Sequence, residues 1–137
     1  MVAESRLPNI VSALSTYLSE KHEQLADNYQ ADCLAIACDV ARLLVESGKQ
    51  PSIVSFTKTT KTEDGNFHHP LMPKKYGGRV TFTRHYVCCC EELAYEPMLE
   101  QPVPIEQLCQ AVFGQELTME EFVSADGIET YLDKRRV

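Results

Sequence analysis

The chain is poor in positive charge. Thirteen Lys and Arg stand against twenty Asp and Glu, for a formal net charge of -7, and a surface of that sign repels a polyanionic backbone. The basic clusters, Lys74-Lys75 and Lys134-Arg135-Arg136, are no longer than ordinary solvated patches, so no nucleic-acid partner is expected. Long apolar runs are missing as well. No stretch approaches the roughly 20 apolar residues that a membrane-spanning helix needs, so no membrane partner is expected. The opening "MVAESRLPNIVSALSTYLSEK" mixes polar and charged residues throughout, without a basic start followed by an apolar run, which points to a cytoplasmic location. No C-x-x-C pair occurs among the six cysteines. With no secretory signal, and with three of the six adjacent as Cys88-Cys89-Cys90, the thiols are read as free rather than as a disulfide framework. A closed zinc site would have to gather Cys33, His85, Cys89 and one of His68 or His69, because such sites take four ligands; no metal and no other cofactor is expected. Internal repeats and low-complexity tracts are also absent. A length of 137 residues with 44% hydrophobic content suits one domain spanning 1–137.

What is present reads as an α+β chain. Leu7, Ile10, Val11, Leu14, Tyr17 and Leu18 recur at helical spacing, with Pro8 in the first turn, and predict an N-terminal amphipathic helix. A second helix follows, with Cys33, Ile36, Ala37, Val40, Ala41 and Leu44 on one face and Leu34, Cys38 and Val45 widening it. Only Asp39, Arg42 and Glu46 leave a polar stripe, so this helix is central and buried on most sides. Asp32 is placed to cap its start and Gly48 its end. "PSIVSFTK" is β-branched and aromatic, hence a strand. The next 21 residues, "KTTKTEDGNFHHPLMPKKYGG", hold Gly, Pro and Asn without sustained periodicity and are read as a long loop able to cover a site. "RVTFTRHYVCCC" predicts a strand and "LAYEPML" its antiparallel partner across Glu91-Glu92. "PIEQLCQAVFG" predicts a helix stopped by Gly114, "TMEE" from Thr118 a capping box for another helical segment, and "GIETYLDKRRV" a C-terminal helix.

Three residues then stand out in chain order: Cys33 at the start of the buried helix, His85 within a strand, and Glu96 in the next. Thiol catalysis needs a nucleophile, a base to take its proton and a group to orient the base. Each has an ordinary reading too: Cys33 as a small core residue, His85 as a hydrogen-bonded strand residue, Glu96 as a solvated edge carboxylate. The combination is what carries the chemistry. If the hairpin loop has two or four residues centred on Glu91-Glu92, Val87 faces Glu96 and the carboxylate lies diagonally from His85 on one sheet face. An odd loop puts it on the other face. His68-His69 offer an alternative base from the loop.

"ADCLAIACDVARLLVESGKQPSIVSF" followed by "HYVCCCEELAYEPML" resembles the papain-like, transglutaminase-like cysteine superfamily, over roughly Asp32 to Leu99. In that superfamily a Cys starts a central helix, a strand follows, a His lies on a later strand and an acid on the next. The resemblance implies a papain-like, transglutaminase-like core with the Cys-bearing helix packed on an antiparallel sheet, flanked by N- and C-terminal helices. It implies Cys33 as nucleophile, His85 as base and Glu96 as orienting acid, where Asp or Asn is commoner. Position 27, six residues before Cys33, is Asp rather than the Gln that completes the oxyanion hole in papain; Gln30 and Asn28 are the nearest substitutes. The implied activity is thiol-dependent acyl chemistry of peptidase, amidase, deamidase or transglutaminase type on a peptide or protein substrate. Independently of the resemblance, the length of the long loop and its Gly77-Gly78 predict a lid over Cys33, with Tyr76 or Phe67 as a wall of the substrate cleft. The alternative is a catalytically inactive scaffold of the same kind, acting as a protein-interaction module through segment 58–78. Oligomeric state is left open.

Overall fold

The computed structural model describes residues 14, 16, 17, 20, 29–74, 81–99 and 101–135. Leu14, Thr16, Tyr17 and Glu20 are helical; the rest of the expected N-terminal helix lies outside the described residues. Helix α1 spans Tyr29–Glu46. It closes with a Schellman motif, in which Gly48, at φ 86, donates to Val45 O and Lys49 donates to Leu44 O. Only glycine takes that left-handed conformation without steric penalty. At the other end the expected cap is corrected. Asp32 lies within the helix, and Cys33 is its fifth residue, because Tyr29, Gln30 and Ala31 are competent helix formers and an Asp in a first turn is favourable without being the cap.

Six strands follow in antiparallel pairings: β1 (Ser52–Thr62), β2 (Gly65–His69), β3 (His85–Cys90), β4 (Leu93–Tyr95), β5 (Val103–Pro104) and β6 (Thr118–Val123). Helix α2 (Ile105–Phe113) lies between β5 and β6, and helix α3 (Ile128–Arg135) ends the fold. The sheet order is β2-β1-β3-β4-β5, with β6 also paired to β1. Residues 52–56 of β1 pair with β3 and residues 53–57 with β6, whereas residues 58–62 pair with β2 alone. The long loop expected over 58–78 is therefore replaced by a hairpin arm as far as His69. Its Thr-rich run is β-branched, and the two-residue turn Glu63-Asp64 leads into Gly65, paired with Thr62 and at φ 128, a conformation that favours glycine.

Two other expectations are corrected. "TMEE" from Thr118 opens strand β6, not a helix, because the segment lacks a helical apolar face and β1 has an open edge beside it. The strand expected to run to Leu99 stops at Tyr95. Pro97 sits at the second position of a turn closed by Leu99 N–H donating to Glu96 O at 2.9 Å, the place where its fixed φ is an advantage. Among the described residues no helix is long and apolar enough to cross a membrane.

The sheet buries both faces around the first half of β1, β3 and β4. Val54, Phe56, Val87, Cys89 and Ala94 form one core with Leu108, Val112 and Phe113 of α2, joined by Cys33 and Ile36 of α1. Ile53, Cys88, Cys90 and Val123 form the other with Ala37 to Leu44 of α1 and Ile128 and Leu132 of α3. Strand alternation explains the division of β3 between them. Leu44, Ile53, Leu108 and Ile128 are almost fully buried, each worth roughly 1.5–3 kcal/mol of apolar transfer. On the polar stripe of α1, Tyr17 donates to Asp39 at 2.8 Å and Arg42 pairs with the same carboxylate at 3.1 Å.

Candidate functional site

Cys33 reaches one core from the second turn of α1. His85 opens β3, next to Val87 and Cys89 on that core's side of the sheet, and pairs across the ladder with Phe56. The hairpin after it has a two-residue loop, Glu91-Glu92, with pairs Cys90↔Leu93, Cys89↔Ala94 and Cys88↔Tyr95. The next step of that register sets Val87 opposite Glu96, making Glu96 and His85 diagonal neighbours on one face. Both loop glutamates carry positive φ, 53 and 69, which is the twist a two-residue hairpin demands. Lys49 anchors the turn through Glu91 at 2.8 Å.

The structure brings the three residues together and buries them. Relative exposure is 3% at Cys33, 0% at His85 and 1% at Glu96. His85 Nε2 bonds Glu96 Oε1. An ionised carboxylate can only accept, so in this pair Nε2 carries a proton toward Glu96, and Nδ1 is the nitrogen left for a thiol proton. Cys33 lies close enough to the same imidazole to favour its charged form. Burial pushes the His85 pKa down, but the charge and hydrogen bond of Glu96, together with the nearby Cys33, outweigh it and raise the value to about 9. Burial drives the other thiols away from reactivity: Cys89 is pushed up to about 12, Cys88 well above its ordinary value, and Cys38, Cys90 and Cys109 upward.

Two aromatic rings that sequence reasoning did not single out complete the surroundings. Phe82 stands edge-on to the imidazole with centroids 4.6 Å apart, Phe113 at 5.6 Å, and the two rings meet each other at 6.3 Å. Phe82 had a local signal, three residues before His85; Phe113 arrives from the end of α2 and had none. Leu71 and Phe82 form an isolated bridge through reciprocal backbone bonds of 2.7 and 2.9 Å.

The remaining candidates are placed elsewhere or not described. Phe67 is on β2, 54% exposed, opposite Thr60. Thr60 is four residues along β1 from the partner of His85, roughly 13 Å at strand rise. His68 and His69 are on the same arm, bonded to Thr59 and Thr60 at 3.1 and 2.6 Å. Asn28, Tyr76 and the side chain of Gln30 lie outside the described residues. Among the described residues no group of three or more His, Cys, Asp or Glu is arranged to hold a metal ion.

No protein-family model, curated protein or solved structure matches the chain.

Proposed function

We propose that the protein performs thiol-dependent acyl chemistry on an amide or peptide-like substrate, with Cys33 as nucleophile, His85 as base and then acid, and Glu96 orienting the imidazole. The supporting observation is one buried imidazole bonded to a carboxylate through Nε2, with the Cys33 thiol in the same core and close enough to favour the ring's charged form. Cys33 sulfur bonds to the carbonyl carbon while its proton resides on His85. The imidazolium returns that proton to the leaving amine as the C–N bond breaks. Water or a second amine, deprotonated by His85, then attacks the thioester and releases Cys33. Peptidase, amidase, deamidase and transglutaminase types share the acyl-enzyme and differ in the group displaced and the group that resolves it. The order of Cys-bearing helix, β1, His-bearing β3 and the acid after β4 supports the finer reading of the fold as papain-like or transglutaminase-like. Cys33 N–H, as the fifth in α1, belongs to the helical ladder, so oxyanion donors in this reading are the Gln30 or Asn28 side chains.

A non-specific activated ester tests the reading without knowledge of the substrate. Mixing with p-nitrophenyl acetate is expected to release a burst of one p-nitrophenolate per chain and to leave an acetyl thioester mapped by mass spectrometry to Cys33. His85→Ala, checked for fold by circular dichroism, is expected to abolish the burst. Acetylation scattered over several thiols, or a burst unchanged in His85→Ala, overturns it. A second reading is favoured by the burial of all three side chains: an inactive scaffold in which they form a structural polar cluster and the exposed arm meets a protein partner. Absence of any Cys33 adduct in the native chain supports that reading.

A further inference from the structure

A nucleophile must meet its substrate, yet Cys33, His85 and Glu96 are all at 3% exposure or less. What covers them is specific. Phe82 packs on the imidazole at 4.6 Å and on Phe113 at 6.3 Å, and Leu71, wholly buried, joins the same core. The link from Leu71 to Phe82 is an isolated two-bond bridge outside the named strands. Lys74, just past Leu71, lies along Gly114 at the end of α2, where an added Cβ would meet its side chain at 3.4 Å.

We infer that the Leu71–Phe82 bridge is a gate over the reactive cluster, with Phe82 as the residue that admits or excludes substrate. This rests on the acyl-transfer reading above. Two backbone bonds join Leu71 to Phe82, a shorter ladder than the five paired positions of β1 with β3. The backbone part of the bridge therefore opens locally at lower cost than the sheet, and the rest of the cost is the ring packing of Phe82. Opening removes the Phe82 ring from the imidazole. Phe113 stays beside it at 5.6 Å, within an apolar core that also holds Met98, Val112 and Leu108. The substrate class that these surroundings take is an amide with a large apolar or aromatic group next to the scissile carbonyl, a group that can replace the Phe82 ring against His85 and Phe113. An acidic or basic group there would lose its hydration with no opposite charge offered by these apolar residues.

The test compares local with global opening in the native full-length chain. Labelling by N-ethylmaleimide and by iodoacetamide is followed at each cysteine by peptide mass mapping, and each rate is divided by that in urea to give a protection factor. The expected result is that Cys33 is protected to the same degree as the Leu71 and Phe82 amides are against hydrogen exchange, and less than Cys88 on the other core. Phe82→Ala is expected to speed both reagents at Cys33 by about tenfold or more, with Cys38 and Cys88 unchanged, and Phe82→Leu, which keeps a cover, to restore the native rate. Cys33 protection equal to that of Cys88 overturns the gate, as does a Phe82→Ala rate equal to wild type or a rise shared by Cys38 and Cys88. Failure of the acyl-transfer reading looks different: the protection pattern stays, and His85→Ala leaves the Cys33 rate unchanged once Phe82→Ala has opened the site.

Discussion

At His85 two opposing costs meet: removal from water, which favours the neutral ring, and a carboxylate bonded to Nε2, which favours the imidazolium. The carboxylate and the Cys33 contact prevail, leaving the group at about 9 against an ordinary value of 6.5. A raised folded pKa means that the native state holds the proton more tightly than the unfolded chain. The stability it contributes is therefore complete below about pH 6.5 and lost as pH rises through about 9. Urea midpoints are expected to fall between pH 6.5 and 8 in the wild type and to be flatter over that interval in His85→Gln. Above pH 8 the buried thiols, also shifted upward, contribute with the same sign, so the lower interval isolates the imidazole. Glu96→Gln removes the counter-charge while keeping the shape, and is expected to cost about 3 kcal/mol in equilibrium unfolding, in line with a buried pair that loses one member. It is also expected to move the ring's titration downward, as read from the His85 proton resonances in NMR. At this scale the sequence was legible. Cys33, His85 and Glu96 each had an unremarkable alternative, and their order along the chain was the signal. Phe113 was not legible, because nothing local to α2 says that its last apolar residue ends beside a strand 28 positions earlier in the sequence.

Among the elements, the β3–β4 hairpin sets the register on which the site depends and carries backbone strain in doing so. Two glutamates occupy left-handed backbone conformations that cost an L-residue roughly 1 kcal/mol or more relative to glycine or asparagine. Replacing them as Glu91→Asn with Glu92→Gly is expected to raise unfolding stability by about 1 kcal/mol, measured by urea denaturation, since the exposed Lys49–Glu91 pair that is lost contributes little. Because the loop stays at two residues, the register and the burst at Cys33 are expected to be unchanged. The hairpin's parity was the open question in the sequence; Glu-Glu has no preference for a primed turn, and only the ladder decides. The errors elsewhere have physical sources too. The half of β1 from Lys58 to Thr62 alternates too weakly in polarity to declare a strand exposed on both sides, although Asp64-Gly65 was a usable turn signal. Thr118 with Glu121 matches a capping box, but tertiary pairing to the open edge of β1 overrode that local preference.

For the whole molecule, the pattern of apolar residues foretold helices on an antiparallel sheet but not that both sheet faces would be covered, since that depends on where α2 and α3 dock. The arm formed by residues 58–69 takes little part in either core: residues 58–68 are exposed, and neither core includes them. Replacing residues 60–67 by a two-residue Asn-Gly turn is therefore expected to leave the thermal midpoint and the acetylation burst close to wild type. A loss of the burst in that variant would bring the arm into the site. If the chain works instead through a protein partner, the same deletion is expected to abolish that association while leaving the fold intact.

The triplet Cys88-Cys89-Cys90 looks in one dimension like a cluster ready for oxidation. Alternation along β3 gives Cys89 to one core and Cys88 and Cys90 to the other, so adjacent thiols are insulated from each other by the backbone plane itself. Neighbours that point to opposite sides of a sheet cannot meet disulfide geometry without unravelling the strand. In the folded state neither Cys88–Cys89 nor Cys89–Cys90 can bridge, and the run serves as a set of small side chains that allows close packing on both faces. A disulfide between adjacent members forms only in a chain that has already lost its sheet, which makes that cross-link a chemical record of past unfolding.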